Sequence, residues 1–353
     1  MSRAATLDDR KRAIGRAPAA GRPRTIAARP RATLTHRTAA GRPLDVALVN
    51  NMPDAAFQDT ERQFRAMLAS TGRPVRLRLH VLASVRRSPP TAALIAQRYR
   101  GAAELRSDPP DALIVTGTEP SHPELSSEPY WPELARLLEW ATGEVPIVVA
   151  SCLAAHAALL LFDGIHRERR PAKCCGVFSG AVCRRPEALG PAGALVAGLP
   201  DSIPLPHSRL NDTPQPALID AGWRIVVGDG GSGAGWAVAA REVGGTLFVL
   251  CQAHPEYGRL SLLREYRRDV RRWLLEGAAA YPALPSGYLD ARGTRALERF
   301  AERARAGAES PGELWRAFPF DRAAAGVRRT WGAPSALLYA NWVAAAGAAA
   351  LAA

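Results

Sequence analysis

One cysteine, Cys152, stands where an apolar run ends and a helical pattern begins. Residues 146–151 read PIVVAS, and LAAHAALLL follows at 153–161. The helix dipole favours a thiolate at the start of a helix, and backbone N–H groups there can receive an oxyanion. We therefore interpret Cys152 as a candidate nucleophile and the N–H of Leu153 as a candidate oxyanion donor. The alternative is a small buried thiol, because free cysteine is among the most buried residue types.

A histidine and a carboxylate follow another predicted strand, further along the chain. TLFVLCQ ends at position 252, and His254-Pro255-Glu256 comes one alanine later. A cysteine nucleophile needs a base and a group that orients the base, so His254 is the candidate base and Glu256 its partner. Pro255 biases His254 toward extended geometry, which favours this pairing. Two alternatives stay open: a surface pair without chemistry, and His156, one helical turn after Cys152, as the base.

Apolar segments alternate with helical patterns through the first half of the chain. Continuous Val, Ile and Leu runs separated by helices indicate a parallel sheet covered on both faces, which is a doubly wound α/β architecture. Sites in such a sheet gather at the carboxyl ends of the strands, where both candidate clusters are predicted. The predicted strands are 45–50, 75–82, 111–115 and 146–151, and the predicted helices are 60–68, 130–141 and the segment after Cys152.

The second half of the chain has a different pattern. Closely spaced strands there predict an antiparallel meander beside the main sheet, followed by a helix with a heavily charged face and then a further helix. The strands are 223–227, 235–240 and 246–250, and the helices are 260–275 and 295–304. We expect an α/β catalytic domain over residues 42–277 and a helical C-terminal extension, residues 278–353, that packs on it.

The net charge of +13 is concentrated at the N-terminus. Residues 1–40 hold ten Lys and Arg against two Asp, with almost no large apolar residues. We therefore expect residues 1–41 to form a disordered basic leader. A basic tail can bind nucleic acid or an anionic membrane, but no nucleic-acid-reading motif accompanies it, and we expect neither partner. An organellar targeting segment stays open as an alternative, because the leader is Arg-rich and poor in acidic residues.

The rest of the composition indicates a cytoplasmic protein. No apolar run reaches the roughly 18 residues that a transmembrane helix needs, and the N-terminus lacks the apolar region of a secretory signal. The five cysteines are odd in number and lack the spacing of a secreted framework, which fits a reducing cytosol. No metal-ligand spacing appears, so we expect no metal and no bound cofactor.

Short segments spread along the chain together resemble the homoserine O-succinyltransferase/O-acetyltransferase family, which has a class I glutamine amidotransferase-like fold. Their shared order and spacing extend over residues 42–342. They are VALVNNMPD at 46–54, DTERQF at 59–64, DALIVTGTEP at 111–120, EPYWPELARLLEW at 128–140, CLAAHAALLLFDGI at 152–165, KCCGVF at 173–178, PHSR at 206–209, AHPEYGRLSLLREYRRD at 253–269 and TWGAPSALLYANW at 330–342. The resemblance implies an acyltransferase of methionine biosynthesis that uses succinyl- or acetyl-coenzyme A.

The resemblance also assigns roles to individual residues. It makes Cys152 the acyl-accepting nucleophile, His254 the base and Glu256 its orienting partner. Arg268, on the helix after the base, is implied to hold the carboxylate of an amino-acid substrate, which suits the bidentate geometry of a guanidinium. The implied substrate-contacting residues are Lys173, Ser208 and Arg268.

Several positions depart from the family pattern and bear on substrate choice. The family usually has Trp after the nucleophile and Gln four residues beyond it, where this chain has Leu153 and His156. Ser121 falls where the family sets its acyl-donor preference, and a small residue there favours succinyl over acetyl. The other departures are Asp54-Ala55 and Thr118-Glu119.

We therefore predict a homoserine O-acyltransferase with a ping-pong mechanism, whose substrates are an acyl-coenzyme A and homoserine. A homodimer is compatible with this prediction. Two alternatives stay open. One is another cysteine enzyme on the same scaffold, either an acyltransferase for serine or another hydroxy compound or a glutamine amidotransferase-like hydrolase. The other is a non-catalytic binding protein. The clamp implied at Arg268 favours homoserine, because a hydrolase would not need it.

Overall fold

The computed structural model describes residues 42–352, with one mixed sheet at their centre. The expected basic leader, residues 1–41, lies outside the described part of the chain. Ten strands pair in this sheet within the described residues. They are β1 (Leu44–Val49), β2 (Val75–Val81), β3 (Arg100–Gly101), β4 (Ala112–Val115), β5 (Ile147–Ser151), β6 (Glu168–Val182), β7 (Ser202–Asp212), β8 (Arg224–Asp229), β9 (Val238–Val243) and β10 (Thr246–Cys251).

The sheet has a parallel part and an antiparallel part, in the order β3-β2-β1-β4-β5-β10-β9-β8-β6-β7. The pairs from β3 to β10 are parallel, and those from β10 to β7 are antiparallel. Strands β1, β4, β5 and β10 are buried along their whole length, as apolar strands are when both faces are covered. The expected α/β fold class is confirmed. The predicted meander is also confirmed, as β8-β9-β10, and it extends the main sheet.

Helices cover both faces of this sheet. The ten α-helices among residues 42–352 are α1 (Asp54–Ala69), α2 (Pro89–Arg98), α3 (Trp131–Glu144), α4 (Leu153–Asp163), α5 (Gln215–Asp220), α6 (Ser261–Leu275), α7 (Ala291–Ala306), α8 (Pro311–Arg316), α9 (Phe320–Ala325) and α10 (Gly332–Ala352). Alternate residues of β1 belong to opposite cores, because successive side chains of a strand point to opposite faces. Val46 packs in the core that contains α1 and α10, and Ala47 in the core that contains α3 and α4.

The C-terminal helices pack in two places. Residues of α7 to α9 share a buried cluster with α6, in which Trp331, Tyr266 and Tyr288 are the largest fully buried side chains. Helix α10 covers one face of the sheet, where Trp342 is buried against it. None of the helices within residues 42–352 has the combined length and apolar character that crossing a bilayer requires.

Two long strands, β6 and β7, were not predicted from the sequence. Pro171 and Gly176 interrupt the β6 pattern, and much of its N-terminal half is exposed, so its apolar periodicity is weak. The two strands nevertheless pair over most of their length, with Cys175 opposite Ser208. This pairing brings Lys173 and Ser208 to the same end of the molecule.

Candidate active site

A strained turn holds Cys152 between β5 and α4. Its backbone has φ 54° and ψ −111°, and among residues 42–352 it is the only non-glycine residue with positive φ. Such a conformation costs on the order of 1–3 kcal/mol and is found mainly at functional sites. The N–H of Cys152 donates to the carbonyl of Cys251 at 2.7 Å, which ties the turn to the end of β10. The side chain is partly exposed, unlike the fully buried Ala150 and Ala154 beside it.

His254 and Glu256 lie at the neighbouring strand end. Strands β5 and β10 are parallel, with Ser151 opposite Cys251, so the chain after β10 arrives next to Cys152. The Nδ1 atom of His254 bonds to Oε1 of Glu256 at 2.9 Å, and both side chains are buried. The Nε2 atom of His254 has no hydrogen-bond partner within the described chain, so it is the nitrogen free to exchange a proton.

The charges around His254 favour its protonated form. Burial alone would lower the pKa of this imidazole, but the negative charges of Glu256 and of a Cys152 thiolate outweigh burial and raise the pKa well above 6.5. An imidazolium next to a cysteine stabilises the thiolate, which is the nucleophilic form. The arrangement of these three residues can therefore support nucleophilic catalysis.

Gly117, two residues after β4, keeps space open beside the nucleophile. A Cβ atom at this position would lie 2.5 Å from Cβ and 2.9 Å from the backbone N of Leu153. Leu153 is the first residue of α4, so helix geometry leaves its N–H without an intrahelical acceptor. The sequence shows Thr116-Gly117 at the end of a predicted strand, where sites of such sheets lie. The contact of Gly117 with α4 depends on the tertiary fold and could not be predicted.

His156 is less suited than His254 to act as the base. Its ring is buried, and Nε2 donates to Oε1 of Gln252 at 2.9 Å. Burial lowers the pKa of His156 to about 4, so the ring is neutral near pH 7. The geometry therefore favours His254 over His156 as the proton acceptor.

The residues predicted to contact substrate lie in one cluster around two carboxylates of α6. The Nζ atom of Lys173 lies 2.6 Å from Asp269 and 3.7 Å from Glu265. Ser208 donates to Glu265, and Arg268 lies 3.0 Å from its neighbour Asp269. Sequence reasoning missed both carboxylates, although Glu265 and Asp269 are four residues apart and therefore share a face of the helix.

A tyrosine joins this cluster to the candidate base. Tyr257 stacks on the ring of His254, and its hydroxyl donates to Glu265. Burial and Glu265 raise the pKa of Tyr257 well above its ordinary value, so the hydroxyl stays a donor. Tyr257 was not singled out from the sequence, since its position directly after Glu256 does not reveal the stacking.

Ser121 lies in the loop after β4. Its N–H and Oγ donate to the two oxygens of buried Glu128, at 2.6 and 3.0 Å. Next to it, Glu119 forms an ion pair of 2.8 Å with Arg272 of α6. The departure at Thr118-Glu119 therefore ties this loop to the helix that contains Arg268. Within residues 42–352, no three His, Cys, Asp or Glu side chains are grouped in a way that could hold a metal ion.

Known proteins resemble this chain over most of its length. The family model described as homoserine O-succinyltransferase matches residues 28–349. A homoserine O-succinyltransferase of Rhodopseudomonas palustris is 44% identical over 272 residues, which are 76% of this chain and 79% of the relative. One from Methylorubrum extorquens is 40% identical over 304 residues, 86% of this chain and 87% of the relative. A solved glutamine amidotransferase from Methylobacillus flagellatus is 17% identical, with a TM-score of 0.47 over 86% of this chain and 94% of that chain.

Proposed function

Since this chain belongs to the homoserine O-succinyltransferase family, we propose that it transfers a succinyl group from succinyl-coenzyme A to the hydroxyl of homoserine through an acyl-enzyme on Cys152. This reaction belongs to methionine biosynthesis. The observation that carries the proposal is the buried His254–Glu256 pair, bonded at 2.9 Å, next to the strained turn of Cys152.

The first half-reaction uses the thiol and the imidazole. The proton of Cys152 passes to Nε2 of His254, and the thiolate attacks the thioester carbonyl of the donor. A bond forms between Sγ and the carbonyl carbon, and the carbonyl oxygen becomes an oxyanion that the N–H of Leu153 can receive. The carbon–sulfur bond to coenzyme A then breaks, and the departing thiolate takes the proton from His254.

His254 is also the base of the second half-reaction, in which the acyl group leaves Cys152. Neutral His254 takes the proton of the homoserine hydroxyl, whose oxygen attacks the carbonyl of the acyl-enzyme. The ester forms, the bond to Sγ breaks, and the proton returns to the thiolate of Cys152. Glu256 supports both halves, because its charge stabilises the imidazolium each time it forms.

The cluster on α6 has the charges that an amino acid needs. The carboxylate of homoserine would pair with Arg268, and its ammonium group would be attracted by Glu265 and Asp269. Lys173 and Ser208 hold those two carboxylates in place through the contacts described above. Because Tyr257 links Glu265 to the ring of His254, the acceptor cluster is adjacent to the base.

The test of this function is intact-mass spectrometry after brief exposure of the protein to succinyl-coenzyme A. We expect the native chain to gain the mass of one succinyl group and to lose it again when homoserine, but not serine, is added. Cys152→Ala should gain nothing. Cys183→Ala is a matched control, since that thiol donates to the carbonyl of Arg185 and has no proposed role. A native chain that gains no acyl group from either succinyl- or acetyl-coenzyme A would contradict the proposal.

All five cysteines are free thiols, which supports a reducing compartment. We propose the cytoplasm as the site of the reaction, where both substrates would be drawn from the soluble pool. Succinyl-coenzyme A enters as a substrate, and the proposed steps use groups of the chain itself.

A further inference from the structure

Besides Nε2 of His254 and Oε2 of Glu256, two buried polar atoms on the segments that follow β4 and α4 have no hydrogen-bond partner in the described chain. They are Nη1 of Arg167 and the hydroxyl of Tyr130, a side chain that is 6% exposed. A buried donor without an acceptor costs roughly 1–3 kcal/mol, so such atoms are rare and call for a physical explanation.

The rest of the Arg167 guanidinium is held in place by main-chain atoms. Its Nε and Nη2 donate to the carbonyl of Pro123, at 3.1 and 2.7 Å, and Nη2 also donates to the carbonyl of His122 at 2.8 Å. These bonds fix the orientation of the group without neutralising its charge. Arg167 is thus a positioned cation with one nitrogen still able to donate.

The nearby carboxylates are engaged elsewhere. Glu128 accepts from the backbone of Ser121 and His122 and from the Ser121 hydroxyl, and Glu124 pairs with His166 at 3.1 Å. Burial lowers the pKa of Arg167, although the charges around it act in the opposite direction. Among residues 42–352, the guanidinium therefore lacks the close negative partner that a partly buried arginine needs.

Arg167 and Tyr130 are connected to the loop after β4, which touches the residue that follows Cys152. Gly117, which touches Leu153, begins the loop that leads to Ser121 and to the carbonyls that hold Arg167. A thiolate at Cys152 would help to raise the pKa of Arg167, and the charge of Arg167 acts to lower the pKa of Tyr130. Burial and Glu128 raise the pKa of Tyr130, so its hydroxyl keeps its proton and can donate.

We propose that Arg167 and Tyr130 bind the distal carboxylate of a dicarboxylic acyl group while its carbonyl carbon lies at Cys152. This inference rests on the proposed acyl-enzyme and deepens it by naming the residues that select a dicarboxylic donor. A carboxylate satisfies both unpartnered donors at once and pairs with the guanidinium in a desolvated setting, where such pairs are strong. An acyl group that ends in a methyl group leaves both hydrogen-bond donors, Nη1 of Arg167 and the hydroxyl of Tyr130, without an acceptor.

The experiment compares two donors that differ in the carboxylate, succinyl-coenzyme A and butyryl-coenzyme A. The rate at which each donor acylates Cys152 is followed by intact mass at low donor concentration, for the native chain, Arg167→Gln, Tyr130→Phe and the control Arg169→Gln. Arg169 is exposed and lies in β6, two residues after Arg167. Arg167→Gln should slow succinylation about 10- to 100-fold, the range of a lost charge-assisted hydrogen bond, and change butyrylation less than about threefold.

Tyr130→Phe should slow succinylation about 3- to 10-fold, and Arg169→Gln should change neither rate. If Arg167→Gln does not fold, Arg167→Lys replaces it. The ratio of its succinylation rate to its butyrylation rate should be lower than that of the native chain and higher than one. Equal losses with both donors in the Arg167 variant, or a native chain that prefers butyryl, would overturn the assignment while leaving the acyl-enzyme intact. A native chain that accepts neither donor would instead overturn the proposed function and this assignment together.

Discussion

The imidazole of His254 lies flat against the ring of Tyr257, with the ring centroids 4.2 Å apart and the planes inclined by 22°. The same tyrosine donates its hydroxyl to Glu265, which also accepts from Ser208 and lies 3.7 Å from Lys173. One side chain therefore connects the candidate base with the cluster proposed to hold the acceptor. The two half-reactions would depend on Tyr257 in different ways.

Tyr257→Phe separates the stacking on His254 from the bond to Glu265, because phenylalanine keeps the ring and loses the hydroxyl. We expect the KM for homoserine to rise about 3- to 10-fold, the effect of one lost hydrogen bond to a charged group. Acylation by succinyl-coenzyme A should change less than twofold. Steady-state kinetics with varied homoserine and single-turnover acylation measure the two quantities. Tyr99→Phe, which removes a buried hydroxyl bonded to Glu61, is the matched control. A slower acylation step with an unchanged KM would contradict this prediction.

Glu256→Gln should lower the pKa of His254, because it removes the carboxylate charge that raises it. We expect the imidazole of the native chain to titrate above 6.5 by NMR, and that of the variant to titrate at a lower pH. Turnover should fall about 100-fold or more, since the imidazolium loses its orienting partner. Glu302→Gln, at an exposed position of α7, is the control and should change neither quantity.

The stability of the two proteins should also differ with pH, and the sign follows from the raised pKa of His254. A raised pKa in the folded state contributes stability that is fully present below the unfolded value of 6.5 and is lost as the pH rises through the folded value. The free energy of unfolding of the native chain should therefore exceed that of Glu256→Gln most clearly just below pH 6.5. This difference should become smaller in alkaline buffer. Urea unfolding over a series of pH values measures this gap. A gap that widens with rising pH would contradict the assigned charges.

The sequence could predict the central part of the fold and the three residues of the proposed catalytic group. Cys152 and His254 both follow long apolar strands, and parallel strands bring their carboxyl ends to one edge of a sheet. The strands β5 and β10 lie side by side with Ser151 opposite Cys251, as that argument requires. Periodicity and strand ends placed Cys152 and His254 at one edge, whereas the choice of a catalytic pair over a surface pair came from the family resemblance.

Other features depend on contacts that no local pattern encodes. Strand β6 carries Pro171 and an exposed charged face, so its pairing with β7 could not be read from apolar alternation. The positive φ of Cys152 results from the connection between β5 and α4. The role of Gly117 depends on how close its loop comes to Leu153, which only the packed structure reveals.

Gly117→Ala should impair the proposed oxyanion site directly. The added methyl group would lie 2.9 Å from the backbone N of Leu153, where the carbonyl oxygen of the substrate is expected. Removal of one oxyanion donor typically lowers kcat about 100- to 1,000-fold, and we expect a loss of that order with a smaller change in KM. Gly312→Ala, in α8, is the control, because a Cβ atom there would meet only Nη1 of Arg316, at 4.0 Å. Circular dichroism verifies that each variant is folded. A Gly117→Ala enzyme with kcat within a few-fold of the native value would exclude this oxyanion site.

His156→Gln should preserve activity, because burial makes this imidazole a weak base with a pKa of about 4, and its Nε2 is bonded to Gln252. We expect kcat within about threefold of the native value, whereas His254→Gln should lose activity by about 100-fold or more, as expected for removal of a general base. Equal losses in the two variants would restore His156 as a candidate base.

The same substitution should make the protein more resistant to acid. His156 has a pKa of about 4 in the folded state and 6.5 in the unfolded state. The stability that this difference contributes is fully present above pH 6.5 and is lost as the pH falls toward 4. Glutamine binds no proton and removes this loss, which amounts to at most ~3 kcal/mol for a shift of this size. The difference in unfolding free energy between His156→Gln and the native chain, measured with urea at pH 7.0 and 4.5, should therefore shift in favour of the variant at the lower pH. A difference that stays constant between the two pH values would mean that His156 is not held neutral by burial.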